Sequence, residues 1–296
     1  GAAAWSAGGV RRVVIIKDTT SLVDIHSHLV PGVDDGARNV TAVIESVWRM
    51  MQVGIRRIVT TPHLRASLTL EPQALDKRLS EVTVAFDEAA AAVKSDFPEV
   101  EFRRGHEVMI DVPEPELADP RLRLNGTRFV LIEWPRLQVP PGTPRVLRWL
   151  RDQGWWPVIA HPERYMGVPD NPDLLRRWKD AGAYLQVNYG SFVGRYGAAP
   201  QDIAFRLVEA GLADYLASDF HGHSGLKIYK REAWEALGSR DEVGALDTLC
   251  RANTSRLLDG LEPLPVAALP GTSRLLQRIQ GIVRSGRDRR TERRRN

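Results

Sequence analysis

The sequence predicts an α/β fold in which parallel strands, each covered on its outside by a helix, form a barrel or an open sheet. Three observations predict it. Short β-branched apolar runs recur along the chain, segments with apolar residues three and four apart lie between them, and several of those segments end in a glycine, at Gly54, Gly154, Gly182 and Gly211. With 296 residues and 43% hydrophobic content the chain can bury one large core.

In chain order, the apolar runs predict seven strands: 21–28 (SLVDIHSH), 56–63 (RRIVTTPH), 100–110 (VEFRRGHEVMI), 128–135 (RFVLIEWP), 156–163 (WPVIAHPE), 183–190 (AYLQVNYG) and 213–221 (ADYLASDFH). Helical spacing is expected between them over 40–53, 72–94, 143–153, 171–181 and 200–210. After the seventh strand the chain reads as helical over 229–236, 241–258 and 272–284. The resulting organisation is an N-terminal extension (1–20), one barrel-type domain (21–284) and a disordered Arg-rich tail (285–296).

Charge is carried unevenly. The net charge is +4, but residues 281–296 hold seven Arg against Asp288 and Glu292, so that stretch contributes +5 and the remainder is near neutral at −1. Such an end reads as a solvated tail, or as a contact for an anionic membrane surface, and no nucleic-acid partner is expected. The single cysteine, Cys250, allows no internal disulfide and no thiolate-rich zinc site, which fits a cytoplasmic protein. No stretch approaches the roughly 18 apolar residues that span a bilayer, so a soluble protein is expected.

The chemistry lies where the polar residues fall. His26 and His28 are two apart at the end of the first run, and His63 closes the second. Glu107 follows Gly105 in the third, Glu133 interrupts the apolar run VLIEW, and His161 ends the fifth. Asp219 and His221 repeat the two-apart spacing on the seventh, and Asp35 lies in the GVDDGA loop after the first. Downstream strand ends share one face of a parallel barrel, and residues two apart on a strand point the same way. Five of the seven histidines fall on that rim, leaving His106 and His223.

Taken singly, each is better read as a satisfied core histidine or a salt-bridged acid. Together, buried carboxylates such as Glu133 cost several kcal/mol each unless a cation compensates them. Nine mixed imidazole and carboxylate donors without thiolate exceed what one ion needs, and point to two or three divalent ions, Mn, Zn or Fe. A multimetal site of this kind suits phosphate monoester hydrolysis. Arg164, in HPERY, is placed to grip phosphoryl oxygens or to pair with a nearby acid.

The segments DIHSHLVPGVDDGA, TTPH, GHEVMI, VLIEWP, VIAHPERY, LQVNYGS and ASDFHG together resemble the polymerase and histidinol phosphatase (PHP) superfamily. Over about residues 22–258 they are most similar to the bacterial capsular-polysaccharide tyrosine phosphatases of the CpsB/CapC type. That resemblance implies a distorted, TIM-like (β/α)7 barrel, a trinuclear Mn2+ centre and a phosphotyrosine protein substrate, often the tail of a tyrosine autokinase in polysaccharide export. It places metal ligands on His26, His28, Asp35, His63, Glu107, Glu133, His161, Asp219 and His221. Arg164 takes the phosphate-binding position, with Asp35 and His221 also placed in the catalytic set. A second basic residue beyond the SD-x-H motif has no clear counterpart, Lys227 being nearest.

CRANTSR (250–256) has the Cys-x5-Arg spacing of thiol-dependent phosphatases, but no glycine lies in the intervening loop and the flanks have helical spacing, so Cys250 is expected as a buried hydrophobe. Alternatives to a tyrosine phosphatase are a metabolite phosphatase such as one for histidinol phosphate, an amidohydrolase or nuclease, and a non-catalytic scaffold. An open rim with apolar walls from Trp134, Tyr189 or Phe192 would favour phosphotyrosine, although core packing also suits these three.

Overall fold

A computed structural model describes residues 21–238 and 244–269. The expected N-terminal extension, the helix at 272–284 and the Arg-rich tail lie outside the described residues, as does the start of the helix expected from 241.

The strands are β1 (Leu22–Asp24), β2 (Ile55–Thr60), β3 (His63–Arg65), β4 (Glu101–Arg104), β5 (Glu107–Met109), β6 (Phe129–Glu133), β7 (Trp156–Ala160), β8 (Tyr184–Asn188) and β9 (Tyr215–Ala217). They pair in parallel in the orders β1-β2-β4 and β3-β5-β6-β7-β8-β9. The nine strands are the seven expected runs with two of them cut in half. The second run breaks after Thr60, where Pro62 has no N–H to give and the Thr61 N–H turns to Ser27 O at 2.6 Å. The third breaks at Gly105–His106, and Gly105 N–H to Thr60 O (3.0 Å) and Glu107 N–H to Pro62 O (3.2 Å) carry the pairing across both interruptions.

The first run is shorter than expected: β1 stops at Asp24, and His26 and His28 follow in irregular backbone, with only Ser27 bridging Phe220 in parallel. That bridge, with Asp219 N–H to His26 O and His28 N–H to Phe220 O (both 2.9 Å), brings the seventh run back beside the first. The architecture is therefore a distorted TIM-like arrangement in which first and last strands meet through a few bonds rather than a full ladder.

The outer helices are α1 (Val40–Gln52), α2 (Pro72–Asp96), α3 (Thr143–Asp152), α4 (Asp173–Asp180), α5 (Ala198–Glu209) and α6 (Lys230–Gly238). Each begins within a few residues of its expected start. Asn39 caps α1 by accepting from Ala42 N–H at 2.9 Å, and α1 buries Val43, Val47 and Met50 at helical spacing. The last described helical stretch comprises α7 (Ala245–Asp247), a π turn (Thr248–Ala252) and α8 (Asn253–Leu258). Cys250 sits in that π turn, fully buried. No described helix is long and apolar enough to cross a membrane.

Strand alternation sorts the core into two clusters. One set of faces packs against the helices; the other joins Val23, Val59, Phe129, Leu131, Val158, Ala160, Tyr215 and Ala217 with Leu257 and Leu258 of α8. Along β6 the series Phe129, Leu131, Glu133 keeps to one face, as do Tyr215, Ala217 and Asp219 at the end of the fold. The apolar layers are thus topped by a polar one at the downstream strand ends.

Candidate metal centre

All nine expected ligands converge on that polar layer. Four overlapping groups have donor atoms within 4.8 Å of one another: His28, Asp35, His63 and His221; His26, Glu107 and His161; His26, His28 and Asp219; His63, Glu107 and Glu133. Glu107 is the hub. Its Oε2 lies 3.3 Å from His26 Nε2, 3.4 Å from His28 Nε2 and 3.2 Å from His63 Nδ1, while Oε1 lies 3.1 Å from His161 Nε2. Glu133 Oε1 reaches His63 Nδ1 at 3.2 Å, and Asp219 Oδ1 lies 3.4 Å from His26 Nε2. Asp35 is the outermost, its side chain 67% exposed and Oδ1 3.4 Å from His63 Nε2.

The backbone holds these groups at a cost. His161 (φ 36°) and Asp219 (φ 51°) are non-glycine residues in the left-handed region, each at the end of a strand. Such strain costs about 1–3 kcal/mol per residue and concentrates at functional sites. Gly36 explains why the DDGA loop can reach the rim: a Cβ there would fall 2.1 Å from His28 O, so only glycine lets the loop close on His28.

A layer of partners orients the histidines, and sequence reasoning missed it. Gln186 Nε2 donates to Asn188 Oδ1 (2.9 Å), which leaves Gln186 Oε1 to accept from His26 Nδ1–H at 2.8 Å. Asn188 Nδ2 in turn donates to Asp219 Oδ2 at 2.8 Å. Asp34 Oδ2 accepts from His28 Nδ1–H at 2.9 Å and from His63 N–H at 3.2 Å. His221 Nδ1–H faces Asp219 O at 3.0 Å. His26, His28 and His221 are each left with an Nε2 lone pair aimed into the cluster, the arrangement by which outer partners fix the tautomer of metal-binding histidines. The available signal was the pair Gln186 and Asn188, two apart in the apolar run LQVN.

The electrostatics are those of a site missing positive charge. Burial opposes the charged form of His26, but Glu107 and Asp219 outweigh it and push the imidazole up to about 9. His28 is raised against the same burial by Asp219, Asp34 and Glu107. Burial works against ionised Glu107 and Asp219, yet His26 and its neighbours hold both well below the usual carboxylate range. Asp34 is likewise held down at about 2 despite burial, through His28. His221 moves the other way, lowered by burial and by His28. Within the nine candidate ligands, two buried atoms have no hydrogen-bond partner among the described residues, Glu107 Oε2 and His161 Nδ1. Three imidazole nitrogens approach that Glu107 oxygen without hydrogen-bond geometry, so a divalent cation fits the donor set better than protons do.

Arg164 lies at the edge, its Nη1 donating to Asp219 Oδ2 at 2.6 Å. Lys227 is also on this side, its side chain 70% exposed and 3.8 Å from Glu232. The three aromatics named as possible walls take the core role instead, each 1% exposed; the rings at the rim are Tyr196 and Tyr229, which line a cavity with Arg164 and Arg195. His106 is a core histidine, bonded to Arg121 O at 2.9 Å and lowered to about 4 by burial. Burial pushes the Cys250 thiol up to about 12, the reverse of what a thiolate nucleophile requires.

Comparison with known proteins agrees with this geometry. Residues 22–259 match the family described as "Capsular polysaccharide synthesis, CpsB/CapC". The tyrosine-protein phosphatase YwqE of Bacillus subtilis is 34% identical over 215 residues, covering 72% of this chain and 82% of that protein. The tyrosine-protein phosphatase CpsB of Streptococcus pneumoniae is 27% identical over 230 residues, covering 74% and 90% respectively. Among solved structures, one of the crystal structures of YwqE and CpsB, "unique metal-dependent tyrosine phosphatases", superposes with a TM-score of 0.69 at 31% identity, covering 83% of this chain and 99% of that one. Sequence, fold and the convergence of the ligand set therefore agree, and the chain belongs to the CpsB/CapC capsular polysaccharide synthesis family.

Proposed function

We propose that this protein is a metal-dependent phosphatase that hydrolyses phosphotyrosine in protein, with its active centre around Glu107. The observation that carries the reading is the convergence of nine imidazole and carboxylate groups around Glu107, one oxygen of which no hydrogen-bond donor among the described residues satisfies. It is supported by relatives that are themselves tyrosine-protein phosphatases. His26, His28, Asp35, His63, Glu107, Glu133, His161, Asp219 and His221 hold two or three divalent ions, with Mn2+ the first expectation and Zn2+ or Fe2+ compatible with the same donors. When bound, such ions supply a nucleophile at neutral pH and positive charge for the phosphoryl oxygens.

The chain's own groups do the rest. Gln186 and Asp34 keep Nε2 of His26 and His28 free to bind. Arg164 and Asn188 hold Asp219 by its outer oxygen. His221 suits ligation better than proton donation, because its Nδ1–H is engaged and burial with His28 lowers its affinity for a second proton. Little acid help is needed, since a tyrosine leaving group titrates near 10. The physiological substrate in this reading is a phosphotyrosine tail of a cytoplasmic tyrosine autokinase in polysaccharide export, any membrane contact being made through that partner or the Arg-rich end.

The test is metal-stripped protein assayed with p-nitrophenyl phosphate and a phosphotyrosine peptide, with Mn, Zn, Fe and Mg added back singly, and with His161→Ala alongside. Metal-restored phosphate release from the peptide that His161→Ala abolishes is the expected result. Silence with every metal and both substrates would exclude the reading.

A further inference from the structure

Beside the ligand cluster lies a cavity of about 330 Å³ whose walls include Arg164, Arg195, Tyr196, His221 and Tyr229. These residues follow three different strands: Arg164 follows β7, Arg195 and Tyr196 follow β8, and His221 and Tyr229 follow β9. A phosphorylated tyrosine side chain brings two things to such a space, a dianionic phosphoryl group and a flat ring, and each requires a partner.

Most of the positive charge nearby is already engaged. Arg164 donates to Asp219 at 2.6 Å, so its charge offsets a carboxylate of the cluster. Lys227 lines the same cavity and is exposed, as Arg195 is, but its ammonium pairs with Glu232 at 3.8 Å. Arg195 pairs with no carboxylate among the described residues. Its guanidinium lies 5.7 Å from the Tyr196 ring centroid and 5.5 Å from that of Tyr229, and Nη1 is 3.4 Å from the Tyr229 hydroxyl. Arg164 stacks on the same Tyr196 ring at 4.3 Å, so one aromatic side chain carries both guanidiniums.

The local backbone is shaped for this arrangement. Tyr229 occupies the left-handed region at φ 59°, unfavourable for a residue with a Cβ. At Gly190, in NYGS, an added Cβ would lie 3.3 Å from both Arg195 Cδ and Tyr196 Cε2, so the glycine lets the two side chains fold back across the chain.

We propose that this cavity is the subsite for the phosphotyrosine side chain, in which Arg195 supplies the uncommitted cation for the phosphoryl oxygens and Tyr229 the wall for the phenyl ring. The proposal rests on the phosphatase reading above and goes beyond it in assigning the grip on substrate to Arg195 rather than to Lys227. Planarity matters: a guanidinium can stack on the tyrosines and present a fork to phosphate at once, which an ammonium cannot.

The experiment uses full-length, Mn-reconstituted enzyme with a phosphotyrosine peptide, comparing wild type with Arg195→Ala, Arg195→Lys and Lys227→Ala. Arg195→Ala is expected to raise KM by about tenfold or more with kcat within about threefold, as for loss of a charge-assisted contact, and to leave Tm unchanged. Arg195→Lys should recover part of the loss, and Lys227→Ala should shift KM by less than about threefold. Inhibition by inorganic phosphate should weaken in parallel in Arg195→Ala. An unchanged KM in Arg195→Ala, or a larger effect from Lys227→Ala, overturns the assignment and leaves the phosphatase reading standing. A wild-type enzyme that turns over an alkyl phosphate but not the peptide overturns both.

Discussion

Two fully buried carboxylates, Asp24 and Glu107, show how this molecule separates holding itself together from acting on something else. Asp24 is matched by its own chain: Oδ1 accepts from Ser218 N–H at 2.8 Å and Oδ2 from the Ser218 hydroxyl at 2.5 Å, where the first run meets the last. Glu107 is not. One of its oxygens faces three imidazole nitrogens at 3.2–3.4 Å with hydrogen-bond geometry to none. Neutral imidazoles and carboxylates are both electron-pair donors at those distances, so what would satisfy them together is a cation. Burial of an acid therefore says little until its partners are inspected: donors mean structure, other acceptors mean a ligand.

The sharpest way to break the contrast is Glu107→Gln. It should lower kcat/KM by about 10³-fold or more, and abolish the rise in Tm expected when a divalent metal is added to the wild type. At a hundredfold excess over Kd that rise is worth about 2.7 kcal/mol, or roughly 5–10 °C for a domain of this size. Thermal unfolding with and without metal reads it, and a Tm shift that survives the substitution would show that Glu107 is not the hub.

Asp24→Ala should do the opposite. Removing the acceptor for two buried donors should cost about 2–4 kcal/mol in urea unfolding, while kcat/KM per folded molecule stays within about tenfold. Burial lifts this carboxyl from 3.8 to about 6. Its contribution is thus fully present below about pH 4 and is lost as pH rises through about 6, so the penalty should be larger at about pH 5 than at about pH 8. A pH-independent penalty would sink that account. The smallest effect is expected at the sealed thiol: Cys250→Ser should leave kcat/KM within about twofold, and an inactive variant would return the Cys-x5-Arg segment to the mechanism.

Much of this was legible in the sequence. Period-two alternation and the rule that downstream strand ends share a face were enough to count seven runs and to choose nine groups that the fold then brings together, because both depend on spacing within one short segment. Where the runs break was not, because the break at Thr61–Pro62 depends on Ser27, more than thirty residues earlier, accepting the Thr61 N–H. The identity of the rim aromatics was not legible for a similar reason: Trp134, Tyr189 and Phe192 sit next to candidate ligand motifs in sequence, yet their side chains take the core role that also suited them.

The sequence by itself determined the number of strand-forming runs, the candidate ligand types and the chemistry they share, since side-chain identity and local period are written residue by residue. Only the tertiary structure decided which nitrogen of each histidine is free, which acid lacks a donor and which arginine remains uncommitted. Those properties belong to pairs distant along the chain, such as His26 and Gln186, 160 residues apart, and a pair acquires its energy only when folding brings its members within bonding distance.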